Sequence, residues 1–274
     1  MLSKNKEVEH SNFSPSHLEF LKSVRQYKLK ITLSQIGILV GFLLLWEIAA
    51  RLAWIDTFFT SKPSSILLLI QDLSRDGSIF KHTGISVFEA IVGFVIGTIL
   101  GTSIAILLWW SEFFAKVFDP YLVVLNALPK IALGPIIIIW AGAGMRGIIV
   151  TALTISLVVT ILSTYNGFKE VDSEKVKMLQ TFGATKLQIL QKVVFPASIP
   201  NMINTMKINI GMSWIGVIVG EFLVSKAGLG YLIVYGGQVF RLDIVMAGVI
   251  ILALATAIMY QLISKLESRF VKWR

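Results

Sequence analysis

Residues 169–200 read KEVDSEKVKMLQTFGATKLQILQKVVFPASIP, a polar stretch between two apolar ones. It is too polar to cross a bilayer and too patterned to be a slack linker. Asp172 or Ser173 can cap a first short helix. Val171, Lys175, Met178, Leu179 and Phe182 then share one side at helical spacing. Gly183 supplies the left-handed residue that stops such a helix. Thr185-Lys186-Leu187-Gln188 has the form of a capping box. It opens a second helix that carries Leu187, Leu190 and Val194 and ends before Pro196. The stretch therefore predicts a helix–glycine–helix bracket projecting from a membrane. Two readings are open: a hairpin lying on lipid headgroups, or an element docked in a groove of a partner. Rigid caps suit the transmission of force.

The rest of the chain supplies the membrane. Of 274 residues, 55% are hydrophobic, 21 are Gly, and only 15% are charged, against about 25% charged in a soluble domain. So few charges cannot coat a soluble globule, and the composition fits neither disorder nor a coiled coil. About 20 apolar residues span a bilayer core. Such stretches are Leu33–Ala53 (holding Glu47), Val87–Trp110, Phe118–Trp140 (broken by Pro129 and Pro135), Gly147–Phe168, Asn201–Phe222 and Ile244–Ser264. They are solidly apolar rather than alternating as a barrel would need, so strands are not expected. The expected fold is all-α and polytopic, with about six transmembrane helices. Residues 1–32 form a tail, and residues 33–274 a single transmembrane domain with the bracket at about 169–200.

The formal net charge of +9 has a membrane explanation. With the N-terminus inside and six spans, 16 Lys and Arg fall inside and 7 outside, with Lys130 and Lys207 within spans. Basic residues gather in cytoplasmic loops, so both termini are expected in the cytoplasm. Lys4, Lys6, Lys272 and Arg274 belong to the inside set. Trp54, Trp109, Trp110, Trp140 and Trp273 fall at span ends, where indole rings prefer the interface. No basic stretch is interleaved with stacking aromatics, so nucleic acid is not an expected partner. The chain has no Cys, which excludes disulfides, thiol nucleophiles and Cys-ligated metals. His10, His17 and His82 have no metal-site spacing and read as solvated. No signal peptide is expected at the start of the chain.

From these residues onward the chain resembles a known family. Val171–Pro200 looks like the coupling loop of bacterial ABC-transporter permeases of the binding-protein-dependent type I importers. Gly183 and the stretch Phe195-Pro196-Ala197-Ser198-Ile199-Pro200 match that pattern. Lys177-Met178-Leu179 stands where the family carries Glu-Ala-Ala. Leu128-Pro129-Lys130-Ile131-Ala132-Leu133-Gly134-Pro135 and Trp140-Ala141-Gly142-Ala143-Gly144 are similar to the nitrate/sulfonate/taurine subgroup. So are Trp214, Gly220-Glu221, Gly228-Leu229-Gly230-Tyr231-Leu232 and Trp273.

The resemblance implies a permease subunit in the bacterial inner membrane. Its partners would be a second permease copy, two cytoplasmic ATPase subunits, an external substrate-binding protein and the lipid bilayer. ATPase coupling would fall to Lys177, Met178, Leu179, Phe182, Gly183, Ala184 and Thr185. This chain has no phosphate-cradling G-x-x-x-x-G-K-[ST] loop. It is expected not to be an enzyme and to hold no cofactor, with ATP and Mg bound by the partner ATPase. The implied substrate is a small polar solute: an aliphatic sulfonate, taurine or a nitrate-like anion. Riboflavin or a pyrimidine thiamine precursor is the alternative.

Single residues extend this reading. Gly93, Gly97 and Gly101 form a small-residue ridge for packing within one subunit, between subunits, or along a pore. Ser86 and Glu89 have capping-box spacing at the outer start of the second span. The subgroup often carries Arg at the Glu89 position, and a Glu there would disfavour an incoming anion. Lys130, Asn209, Trp214 and Glu221 are candidates for the translocation path. Lys130 follows a Pro at membrane depth, where a cation faces protein or a watery path. Glu221 could line an outer gate or sit in an internal ion pair. The glycines from Gly228 to Gly237 permit a tight re-entrant turn.

Two other classes fit less well. An intramembrane enzyme needs nucleophile–base pairs, paired carboxylates or metal ligands at depth. No His lies in a span, and Glu47, Glu89 and Glu221 are scattered in sequence. An ion-coupled secondary transporter would show internal repeats and buried carboxylates as ion sites.

Overall fold

The computed structural model describes residues 15–270, without the side chains of residues 15, 17, 18 and 268–270. Lys4, Lys6, His10, Lys272, Trp273 and Arg274 lie outside the described residues, as does the side chain of His17. Among the described residues the secondary structure is helical throughout, with no strand. Five helices are long and apolar enough to cross a membrane, and six crossings result if one bent pair counts as a span.

The chain divides into two compact units, residues 1–65 and 66–274. In the first, α1 (Pro15–Arg51) carries an exposed apolar surface, and α2 (Thr57–Thr60) is a single turn capped by Asp56. Glu47 is stabilised locally. It accepts from Arg51 Nε at 2.7 Å, one turn on, and from Ser64 N and Oγ at 3.0 and 2.9 Å. Ser64 lies in the first turn of α3 (Pro63–Arg75).

The second unit is built on three packed helices: α4 (Ser78–Trp110), α7 (Met145–Lys169) and α10 (Phe195–Val224). Small residues set the α4–α7 separation. A Cβ on Gly93 would lie 3.0 Å from Ala152 Cβ, one on Gly97 2.7 Å from Ser156 Oγ, and one on Gly101 2.6 Å from Thr160 Cβ. The glycine ridge therefore packs against α7 of the same chain. Gly216 and Gly220 bring α10 equally close to Ala152 and Ile148. Ala90, Phe94, Ile210, Trp214 and Val217 fill the core between these helices.

Between α4 and α7 the chain turns sharply. Helix α5 (Glu112–Ala127) is followed by a 3-10 turn at Lys130–Leu133 and by α6 (Gly134–Ala141), bent by 88°. The stretch Phe118–Trp140, expected to be broken at its prolines, is indeed bent at Pro129. Pro129 cannot continue the helix, whereas Pro135 sits in the first turn of α6, where no amide donor is needed.

Past the bracket, α11 (Leu229–Gln238) precedes α12 (Leu242–Phe270). The re-entrant turn expected from the glycines is therefore mostly a helix. Lys207 on α10 reaches Glu267 on α12 at 2.6 Å, and its ammonium lies over the Tyr260 ring.

Candidate functional site

The bracket forms as its residues require. Helix α8 (Ser173–Thr181) is capped by Asp172, whose Oδ1 accepts from Glu174 N at 2.9 Å. It stops in two return bonds: Gly183 N donates to Gln180 O at 2.9 Å, and Ala184 N to Leu179 O at 3.0 Å. This is the Schellman pattern, and its pivot, Gly183, has φ +76°. Helix α9 (Lys186–Ile189) opens with a complete capping box: Thr185 N donates to Gln188 Oε1 at 2.7 Å and Gln188 N to Thr185 Oγ1 at 3.4 Å.

The second arm does not end before Pro196. It runs through a π-turn at Leu190–Val194 directly into α10. Pro196 follows directly on that π-turn, where the regular hydrogen-bond ladder is already interrupted, so its missing amide donor is accommodated. Lys186–Val224 is therefore one helical path of 39 residues.

The coupling candidates divide by direction. Leu179 and Ala184 turn inward and pack against the cluster of Ala105, Phe168, Ile189, Leu190 and Val194. Gly183 and Thr185 shape the corner. Lys177, Met178 and Phe182 face outward, with Phe182 79% and Met178 53% exposed. Leu187 is also exposed. These side chains leave an open apolar face on an element fixed by three caps. Lys186, whose sequence context suggests only a place in the cap, reaches the carbonyl of Trp110 at 2.6 Å.

At the opposite end of α10 lies a polar cluster. Glu221 and Glu89 are 1% and 2% exposed. Glu221 Oε1 accepts from Ser86 Oγ, and its Oε2 from Gly230 N, both at 2.5 Å. The Glu89 carboxyl lies beside Glu221, with its Oε2 buried and without a hydrogen-bond partner. Ser86 Oγ in turn accepts from Leu229 N at 2.7 Å. Glu221 and Ser86 thus satisfy the first amides of α11, which lack partners in their own helix, and a carboxylate suits that positive end.

Four expectations are corrected by this cluster. Ser86 and Glu89 do not cap their own helix, because α4 begins eight residues before Ser86, at Ser78. Glu89 and Glu221 are not scattered but in contact. Glu221 pairs with a hydroxyl and an amide rather than with a cation. His82 is half-buried, not solvated: its Nδ1 accepts from Gly228 N at 2.9 Å and its ring stacks on Tyr231 at 5.7 Å. The glycines make room here, since a Cβ on Gly230 would lie 2.8 Å from Glu221 Oε2, and Gly228 has φ +118°.

The other path candidates separate. Asn209 is buried and donates to Thr160 Oγ1 at 2.5 Å, and Trp214 is buried in the core. Lys130 alone is partly exposed; it sits at the break after α5 and donates to Asn126 O at 3.0 Å. Among the described residues no group of three or more His, Cys, Asp or Glu could hold a metal ion.

The profile of the binding-protein-dependent transport system inner membrane component family matches residues 93–272. The chain belongs to this family. It is a permease subunit of the ABC importer type, embedded in a membrane. It is 29% identical over 230 residues to the Bacillus subtilis (strain 168) protein named as an aliphatic sulfonates transport permease, SsuC, covering 84% of this chain and 83% of that one. It is 28% identical to the formylaminopyrimidine transport permease protein ThiX of Halalkalibacterium halodurans, covering 85% of this chain and 92% of the relative. A solved structure of the MetNI methionine ABC transporter, in an inward-facing conformation, matches with a TM-score of 0.58 at 18% identity. That match covers 74% of this chain and 96% of the other, and it agrees with the all-helical fold. These relatives are transport permeases, not enzymes.

Proposed function

We propose that this permease is the membrane subunit of an ATP-driven importer for a small polar solute, an aliphatic sulfonate, taurine or a nitrate-like anion. It works as a pair of copies in the bacterial inner membrane, with two cytoplasmic ATPases on the bracket and an external binding protein on the other side. Both termini are cytoplasmic. ATP and Mg belong to the ATPases.

The observation that carries this reading is the outward face of Lys177, Met178 and Phe182 on a capped bracket continuous with α10. A displacement of that face would reach the membrane helices through continuous helical backbone, which includes the π-turn at Leu190–Val194 and Pro200. Of the path candidates, Lys130 keeps that role, being partly exposed at a break in a membrane helix. The substrate class draws support from the sulfonate relative. Glu89 does not stand against an anion, because it is buried against Glu221. A pyrimidine precursor is the second reading, favoured by the 28% identical relative.

The test is transport into proteoliposomes holding this chain with its ATPase and binding protein. Taurine, an alkanesulfonate, nitrate, riboflavin and formylaminopyrimidine are each offered with and without ATP. ATP-dependent uptake of a sulfonate is expected, and Gly183→Asp is expected to abolish it while inserting normally. Gradient-driven uptake by this chain alone would sink the proposal.

A further inference from the structure

The bracket is joined covalently to α7 and α10, but α4 has no such connection. Its nearest end, Trp110, lies 76 residues before Lys186 in sequence, yet the Lys186 ammonium is 2.6 Å from the Trp110 carbonyl. The same ammonium lies 5.6 Å and 5.8 Å from the ring centroids of Trp109 and Trp110.

The carbonyl is one that needs a donor. Helix α4 ends at Trp110, and Ser111 closes the ladder by donating to Leu107 O. The next amides are used elsewhere: Phe114 N donates to Ser111 Oγ and Ala115 N to Ser111 O. The last carbonyls of a helix lack partners and carry the negative end of its dipole, so a cation there is doubly favoured. Trp109 also packs against the apolar cluster that contains Ile189 and Leu190 of the bracket's second arm.

At its own end Lys186 is held as firmly. It is the first residue after the Thr185 cap, at the start of the helical path that becomes α10. Its ammonium faces the end of α4 and the Glu112 carboxylate just beyond it, rather than the outward face of Lys177, Met178 and Phe182.

We propose that Lys186 is the positioning residue that ties the bracket to α4, so that a displacement of the bracket carries α4 along with α10. This rests on the bracket being the ATPase contact. Without the tie, the bracket would still dock and the ATPase would still turn over, but α4 would lag behind α10.

The experiment uses the full complex in proteoliposomes and reads solute transported per ATP hydrolysed. Lys186→Met keeps the stem and removes the donor and charge. It is expected to leave complex assembly and ATP hydrolysis within about twofold of wild type. Transport per ATP is expected to fall about tenfold, the scale on which residues along a coupling route alter coupling. Lys186→Arg should restore it. An unchanged ratio in Lys186→Met would overturn the proposal. So would joint loss of assembly and hydrolysis in a folded protein, which would place Lys186 in the docking face.

A second measurement covers a variant that fails to assemble. The chain has no native Cys, so spin labels on Leu107→Cys, exposed on α4, and Gln191→Cys report the α4–bracket separation when the labelled copy is paired with an unlabelled one. With Lys186 in place that distance should be unchanged across nucleotide states, and a nucleotide-dependent change would overturn the tie. Wild-type transport that needs no ATPase would overturn the underlying reading, and the tie with it. Loss of assembly in Phe182→Ala alongside an unchanged ratio in Lys186→Met would overturn the tie alone.

Discussion

Ser86 Oγ lies 2.5 Å from Glu221 Oε1, although 135 residues separate the two. The same oxygen accepts from Leu229 N at 2.7 Å. One hydroxyl thus joins α4, α10 and the start of α11, and it does so buried from solvent.

Replacing it has a defined consequence. Ser86→Ala leaves the Leu229 amide without its acceptor and removes a donor from Glu221. Leaving such buried groups unpaired costs about 1–3 kcal/mol. Denaturant unfolding of the purified permease in detergent should show a loss of this order, and an unchanged midpoint would contradict the geometry.

The α4–α7 seam makes a contrasting pair of predictions on one helix. Gly97→Val places methyl groups where Ser156 already stands, and overpacking of this kind costs about 1–3 kcal/mol or more. A Cβ on Gly84, by contrast, would meet nothing within 4 Å. Gly84→Ala should therefore be neutral, or stabilise by up to about 1 kcal/mol through helix propensity. Thermal unfolding of both variants in the same detergent checks the contrast, and equal melting temperatures would refute it.

At the corner of the bracket, side-chain type should matter more than size. Gly183 has a left-handed φ and open space around its Cα. Gly183→Asn should therefore be tolerated, because Asn adopts this conformation. Gly183→Val should cost about 1–2 kcal/mol locally. Limited proteolysis at the bracket reads the difference: cleavage should be faster in the Val variant and near wild type in the Asn variant.

Phe182 separates folding from assembly. Its side chain is exposed, so Phe182→Ala should change the stability of the isolated subunit by no more than about 0.5 kcal/mol. If Phe182 is an anchor for the ATPase, the same change should weaken their association by about 2 kcal/mol, roughly thirtyfold. Pull-down titration against the ATPase tests this, and equal affinity would remove Phe182 from the interface.

What could be read from the sequence was local. The caps of Asp172 and Thr185 and the stop at Gly183 are fixed by neighbours within a few residues, and each forms as its pattern predicts. The glycine ridge was legible as close packing, but not its partner, because Ala152, Ser156 and Thr160 lie on a different helix. Pro196 reads as a helix end, yet its missing donor is accommodated where a π-turn already interrupts the ladder, and that π-turn leaves no local signature. Ser86, Glu89 and Glu221 each have an acceptable reading alone. Their meeting depends on how α4 and α10 cross, which no spacing records. His82 was missed for the same reason, its acceptor role being set by Gly228, 146 residues away.

The uninterrupted path from Lys186 to Val224 has a mechanical meaning. At 1.5 Å per residue its 39 residues extend roughly 58 Å, longer than a bilayer is thick. Lys186 stands at one tip and Glu221 near the other, so one continuous backbone joins the bracket to the polar cluster that holds the start of α11. The π-turn at Leu190–Val194 and Pro200 lie on that path, and both are features at which a long helix bends. Movement passed from one tip to the other would therefore run through these two points.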